Sequence, residues 1–577
     1  MAMTTGTDER IDPRDWATVR PRVDALLATP LTREGVASWL KAWSDLEAIV
    51  EEGFARALRA ATENTADAEA ERLYLHYVEM IRPRAEIAAQ ALRRKLLDFL
   101  DSPDAAGWEP PAEGVQLLRR FRNDADLFRD ENVPILAELG VLGNEYNKLV
   151  GAMTVTLDGE ELTLPRAELR LLDTDRAVRE GTWRAIQTRW LRDRAALDEL
   201  YLRMLPLRRR LARNAGLPDY RAYVWRQYRR FDYTPDDCFR FHDAIEREVV
   251  PLAKRLHAER AAALGVDPLR PWDLDVDPTG LPPLRPFEVA DELEEGASRI
   301  FARVDPALAG EFARLRQGAL DLASRPNKAP GGYCLSLPVA GHAYIFMNAA
   351  GAPRDVDTIL HEGGHAFHFA ASARANDLVW NHEAPMEFSE VASMAMELLS
   401  APYLERERGG FYTADEARRA RADHLRGIVQ FLPYMAVVDA FQHWVYAEAP
   451  EDVSAADLDA KWDGLWARFM GGVDWIGLEA ERMTGWHRKL HIYDVPFYYI
   501  EYGLAQLGAL QVWRAALRDQ GAAVADYRRA LALGNTRPLP ELFAAAGARF
   551  AFDRATVSEL MALIARELDR GKDGAEA

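Results

Sequence analysis

Apolar residues recur at intervals of three and four along most of the chain, between acidic and arginine-rich positions, which is the spacing of amphipathic helices. Residues 10–100 carry this pattern, and residues 173–230 continue it with acids and bases at ion-pair spacing. The period shortens to two in only a few places. Residues 155–164 are centred on Asp158-Gly159, a dipeptide that predicts a tight hairpin. Tyr333-Cys334-Leu335-Ser336-Leu337 and Ala343-Tyr344-Ile345-Phe346-Met347, separated by residues 338–342, predict a second hairpin. Residues 267–287 are proline-rich and aperiodic, which predicts a long surface loop, and residues 570–577 predict a frayed tail. The expected fold class is therefore mainly α, with a small β-sheet.

Just after the second hairpin, Val356, Ile359, Leu360, Ala366, Phe367 and Phe369 keep helical apolar spacing, with Pro353 near the first turn. This helix carries His361-Glu362-Gly363-Gly364-His365. Residues four apart on a helix share a face about 6 Å apart at Cβ, so His361 and His365 can reach one ion. Glu362 stands one position round, where a base can touch an activated water without itself binding the metal. Two adjacent glycines each cost a helix up to about 1 kcal/mol relative to alanine, so a backbone or ligand passing close to that turn would account for them.

A third ligand is sought among the acids that follow. Glu383 precedes Pro385 and lies outside the next predicted helix, and Glu387 falls in its first turn, where the helix dipole alone explains an acid. Glu390 differs, because Phe388, Val391, Met394, Ala395, Leu398 and Leu399 surround it, and a carboxylate in so apolar a segment needs a cation or several donors. Zinc held by His361, His365 and Glu390 keeps a fourth position open for water, one ion per chain. Glu397, on the same face as Glu390, reads equally as a partner that orients a ligand or as an acid paired with an arginine. Asp357, one turn before His361, reads equally as such a partner or as a first-turn acid. His368 reads as a packed histidine, since a fourth protein ligand would close the site.

Residues 486–502 gather His487, His491, Tyr493, Phe497, Tyr498, Tyr499 and Tyr502. An aromatic core layer explains such density, and so does a set of phenol and imidazole donors aimed at a developing oxyanion. The second hairpin likewise either braces the histidine helix or offers an edge to which an extended peptide adds as a strand.

Asp357-Thr-Ile-Leu-His361-Glu362-Gly-Gly-His365-Ala-Phe-His368, followed by Phe388-Ser-Glu390-Val-Ala-Ser393, resembles the thimet oligopeptidase and oligoendopeptidase F family of zinc peptidases. Residues 139–151 and 173–184, Leu269-Arg-Pro-Trp-Asp273, residues 328–334 and Tyr493-Asp-Val-Pro-Phe-Tyr498-Tyr-Ile-Glu-Tyr502 are similar to the oligoendopeptidase F branch, and the likeness runs from about residue 115 onward. The resemblance implies a large helical zincin-type fold with a deep substrate channel that admits short peptides. It implies His491, Tyr498 and Tyr502 as oxyanion donors beside the base Glu362. His491 and Tyr493 stand closer together than in the thimet oligopeptidase form, so Tyr499 is an alternative to Tyr498. The organisation expected is a helical region 1–114, an oligoendopeptidase F-like region 115–195 with the small hairpin, a catalytic region 196–569 and the tail.

Composition fits an enzyme of this kind. A formal charge of −19 over 577 residues disfavours nucleic-acid phosphate as a partner. The first ten residues lack the order of a signal peptide, and no run is long enough to span a bilayer, so no membrane partner and a cytoplasmic location are expected. Cys238 and Cys334 are the only cysteines and form no CxxC pair. Asp273-Leu-Asp275-Val-Asp277 invites a calcium reading, but Pro278 stands at the loop-glycine position and Leu284 at that of the bidentate glutamate, so it is rejected. A zinc endopeptidase acting on short peptides is the function expected; a zinc carboxypeptidase and an inactive peptide-binding zinc scaffold are the rivals.

Overall fold

The amphipathic stretches fold as helices: Trp16–Ala28, Val36–Glu63, Ala68–His76 and Arg82–Leu100, then Arg176–Arg192, Arg194–Asn214 and Tyr220–Gln227. The structure is a computed structural model that describes residues 11–329 and 331–573. It is 70% helical with two small sheets, so the mainly-α expectation holds. None of its described helices is long and apolar enough to cross a membrane. The last helix, Arg554–Asp573, takes in the first part of the expected tail. Residues 574–577 of that tail, and the ten amino-terminal residues read for a leader, lie outside the described residues.

The chain divides into two compact units, each assembled from separate segments: Met1–Asp126, Arg285–Ala417 and Gly508–Phe550 form one, and Leu127–Leu284, Arg418–Leu507 and Ala551–Ala577 the other. In the second unit the first hairpin is β1 (Thr154–Leu157) and β2 (Glu160–Thr163), with Asp158 at φ 53° and Gly159 at φ 83° as its turn asks.

Residues 267–284, also in the second unit, correct the expectation of a surface loop in their first part only, since residues 279–283 are exposed as expected. Trp272 is buried against Trp183, and Asp273 is fully buried, accepting hydrogen bonds from Arg176 and Arg179 at 2.7–3.0 Å. Asp277 accepts from Arg419. Lack of period reflects irregular backbone, and two anchored side chains suffice to hold that backbone inside. The arginines also answer the calcium question, since Asp273 and Asp277 already have cationic partners.

The first unit holds a three-stranded sheet, β3 (Leu320–Ala323), β4 (Tyr333–Leu337) and β5 (His342–Ala349), in the order β3-β5-β4. β4 and β5 form the predicted antiparallel hairpin, with Cys334 opposite Ile345, and β3 adds in parallel to β5. Ala343 to Met347 of β5 are buried without alternation, as befits a central strand covered on both faces. Glu52, from Val36–Glu63, accepts from the backbone N–H groups of Val339 (2.6 Å) and Ala340 (2.9 Å) and so closes the β4–β5 turn. Both β4 and β5 pack against the helix Pro353–Ala375, which carries the histidine motif.

Candidate metal centre

Pro353–Ala375 starts where the sequence says it should, with Pro353 at its first position and the Asp355 carboxylate accepting from the N–H groups of Ala350 (2.8 Å) and Ala352 (2.9 Å). The next helix, Met386–Ser400, follows Pro385 and packs directly on the first. The two glycines make the close approach. A Cβ at Gly364 would lie 2.6 Å from the Ala392 carbonyl oxygen and 2.6 Å from the Ser393 Cα, and one at Gly363 would meet the ring of Phe301 at 2.6 Å. At Gly364 the neighbouring group is therefore backbone, one of the two possibilities left open by the sequence, and at Gly363 it is an aromatic side chain.

This crossing brings His361, His365 and Glu390 together. Glu390 Oε2 lies 3.3 Å from His361 Nε2 and 3.5 Å from His365 Nε2. An ion bonded at about 2.0–2.1 Å to tetrahedrally placed oxygen and nitrogen ligands sets them about 3.3–3.5 Å apart, so these residues fit zinc as they stand. Glu390 is buried, and Ser393, one turn on, donates to the same Oε2 at 2.9 Å. Both imidazoles keep about a fifth of their side-chain surface exposed, which leaves the group approachable from one side.

The field at this site is strongly cation-seeking. Burial opposes a proton on His361, yet the Glu390 and Glu397 carboxylates outweigh it and hold that imidazole protonated well above its ordinary range. Burial likewise works against the charge of Glu390, and the two imidazoles overcome it, holding the carboxyl well below the usual range. A divalent ion satisfies the same carboxylates once the imidazoles are neutral. Glu362 is buried beside the group; burial raises its carboxyl pKa against the pull of His365 and His361, which makes it a stronger proton acceptor than an exposed carboxylate.

Of the two acids weighed as partners of a ligand imidazole, Glu397 is the one at His361 Nδ1, with 2.6 Å to its Oε1. Glu397→Ala is expected to lower zinc affinity about 10- to 100-fold, read by competition with a chromophoric chelator, while Glu397→Gln, which keeps an acceptor, retains most of it. Wild-type affinity in the alanine variant would remove this role. Glu383 is exposed and Glu387 buried in the first helical turn, and neither belongs to the three-residue group. His368 is a packed histidine: buried edge-on to Phe388, its pKa drawn down to about 3 by burial.

His491, Tyr498 and Tyr502 lie in the second unit, as one aromatic cluster. Ring centroids are 5.8 Å apart for His491 and Tyr498, 5.9 Å for His491 and Tyr502, and 5.4 Å for the two tyrosines. All three are partly exposed. Tyr493 is instead fully buried, stacked on Tyr146, and Tyr499 is buried with the Lys489 ammonium 3.8 Å above its ring. Burial, helped by Lys489, lowers the His491 pKa to about 3, so its ring is neutral and presents an N–H. The residue before Tyr498 is held in an unusual conformation. Phe497 has φ 67°, a strained value for a bulky residue, and is held by Gln442 Oε1, which accepts from its N–H at 2.7 Å. Arg230 donates to the Phe497 carbonyl and the Glu501 carboxylate at 2.6 Å each, fixing the start of the helix that carries Tyr502.

Comparison with known proteins adds the following. The sequence model of peptidase family M3 matches residues 170–562. An X-ray structure provisionally named oligoendopeptidase F superposes with a TM-score of 0.88 at 27% identity, over 97% of this chain and 98% of that one. PZ peptidase A, with an inhibitor, gives 0.88 at 25% identity, over 98% of this chain and 99% of that one. A provisionally named oligoendopeptidase F from Bacillus anthracis str. Ames gives 0.84 at 21% identity over 99% of both chains, a likeness of fold alone. None of the curated proteins matches.

Proposed function

The chain belongs to peptidase family M3, and from that premise we propose that it is a zinc-dependent oligoendopeptidase, cutting internal bonds of short peptides. The observation that carries the reading is the convergence of His361 Nε2 and His365 Nε2 on Glu390 Oε2 at 3.3 and 3.5 Å, with the buried carboxylate of Glu362 beside them. His361, His365 and Glu390 would hold one zinc ion per chain. When bound, zinc lowers the pKa of water towards about 7 and polarises the scissile carbonyl.

The protein's own residues supply the rest. Glu362 takes a proton from the attacking water and delivers it to the leaving amine, a double use that its raised pKa favours. Glu397 fixes the tautomer and orientation of His361 through Nδ1, and Ser393 fixes the Glu390 carboxylate. The neutral N–H of His491 and the phenols of Tyr498 and Tyr502 act as donors to the oxyanion. Among the described residues β4 pairs with β5 on one side only, so an extended peptide can add along its other edge and be held by main-chain hydrogen bonds. Substrates are short peptides that enter a channel, and neither nucleic acid nor membrane is a partner. The cytoplasm is the proposed location.

An internally quenched peptide blocked at both termini tests this. It should be cleaved, cleavage should stop with a chelator, and added zinc should restore it. Residue-by-residue release from free carboxyl ends, with the blocked peptide untouched, would instead mean a carboxypeptidase; binding without any cleavage would mean a scaffold.

A further inference from the structure

A second set of metal-ligand residues lies in the second unit, among side chains given no part in the peptidase chemistry. Cys238 and His242 stand four apart on the helix Pro235–Ala244, and Asp439 and His443 stand four apart on the helix Ala414–Ala447. Each pair therefore shares a face, and the two faces meet. One ligand atom from each of Cys238, Asp439 and His443 lies within 4.8 Å of the others, and all three residues are at most 1% exposed.

Hydrogen bonding leaves this set incomplete. His242 Nε2 is 2.9 Å from Asp439 Oδ2 and makes a well-formed bond. His443 Nε2 lies 3.2 Å from the same oxygen, a longer and poorly directed contact, and Asp439 Oδ1 is buried with no partner. A carboxylate oxygen left unsatisfied in a buried site is costly, and a cation held by the carboxylate and the imidazole satisfies it. The 3.2 Å separation is also close to the about 3.3 Å that nitrogen and oxygen ligands of one tetrahedral ion keep. It matches the 3.3 Å between His361 Nε2 and Glu390 Oε2 in the peptidase centre.

We propose that Cys238, Asp439 and His443 hold a second, structural divalent cation of the zinc class, with His242 orienting the Asp439 carboxylate. Thiolate, imidazole and carboxylate together select a borderline-soft d-block ion over magnesium or calcium. Charge agrees, since a dication balances one thiolate and one carboxylate. Phe239, Phe497 and Trp225 ring His443 at centroid distances of 4.7, 5.2 and 5.6 Å and fix its imidazole, so the ion braces two helices, with its fourth position left to a water. Arg221 Nη1 lies 3.4 Å from His443 Nδ1; once Nε2 binds the ion, Nδ1 carries the proton and this long contact is released. The ion enters as the chain folds, displacing the thiol proton that burial otherwise retains.

The full chain produced in cobalt-supplemented minimal medium tests the site without reference to activity. The peptidase centre has no sulfur ligand, so a thiolate-to-cobalt charge-transfer band reports the second site alone. The wild-type protein should show that band, with metal analysis giving two ions per chain. His365→Ala should fall to one ion and keep the band. Cys334→Ser should change neither, and Cys238→Ser should lose the band and one ion. A cobalt-loaded wild-type protein without the band, or a metal-free His365→Ala protein, would overturn the proposal and leave a hydrogen-bonded Asp–His cluster. Because the band does not depend on the peptidase site, failure of either reading is distinguishable from failure of the other.

Discussion

Glu362→Gln is expected to carry zinc as the wild-type chain does and to lose peptide hydrolysis by about 10,000-fold, the upper end of what a positioned general base contributes. The amide matches the carboxylate in shape, so the buried pocket beside His361 and His365 stays filled and the three proposed ligands stay where they are. What the amide cannot do is accept a proton, and both proton transfers assigned to Glu362 fail together. Removal of the charge makes the pocket slightly less favourable to protonated imidazoles, a minor effect because Glu390 and Glu397 remain. Turnover of the doubly blocked quenched peptide, measured on protein whose zinc content has been determined in the same sample, separates the two consequences. Full turnover with full zinc would place the base elsewhere; loss of zinc along with activity would make Glu362 a structural part of the metal site.

Much of this site was legible because helices impose spacing. The four-residue step between His361 and His365 and the position of Pro353 both follow from helical geometry, and Glu390 stood out as a carboxylate in a segment too apolar to hold one alone. The β4–β5 hairpin was legible from its alternation and its turn. Other features depend on tertiary placement. Asp357 and Glu397 were equal candidates until the crossing of two helices set Glu397 against His361 Nδ1. Ser393 lies one turn from Glu390, a spacing that could have suggested its hydrogen bond. β3, four residues long and parallel to its neighbour, carries no turn or alternation to announce it. Among the tyrosines, the division between buried Tyr493 and Tyr499 and partly exposed Tyr498 and Tyr502 depends on tertiary packing, and the left-handed Phe497 between them is a conformation that no residue preference predicts. The paired four-residue steps of Cys238 with His242 and Asp439 with His443 were visible in the sequence, but only the fold sets the two helices face to face.

Gly364→Ala is the second change expected to act strongly, and its sign is opposite to that of helix propensity. Replacing a mid-helix glycine by alanine ordinarily stabilises by up to about 1 kcal/mol. Here the added methyl would sit 2.6 Å from the Ala392 carbonyl oxygen and 2.6 Å from the Ser393 Cα, so the obstacle is the backbone of Met386–Ser400. That backbone cannot rotate away as a side chain would, and Tyr527 pins it from behind by donating to the same Ala392 oxygen at 2.7 Å. The two helices must separate, at an overpacking cost of about 1–3 kcal/mol or somewhat more. Separation moves Glu390 and Ser393 away from His361 and His365, so metal affinity should fall together with stability. Gly363→Ala provides the comparison, since its methyl meets only the Phe301 ring, a side chain able to yield. Thermal unfolding of the zinc-loaded proteins should place Gly364→Ala well below Gly363→Ala, which in turn lies near or modestly below the wild type. An unchanged or raised midpoint for Gly364→Ala would mean that the helices do not touch at this turn, and the close crossing that assembles the metal centre would have to be abandoned.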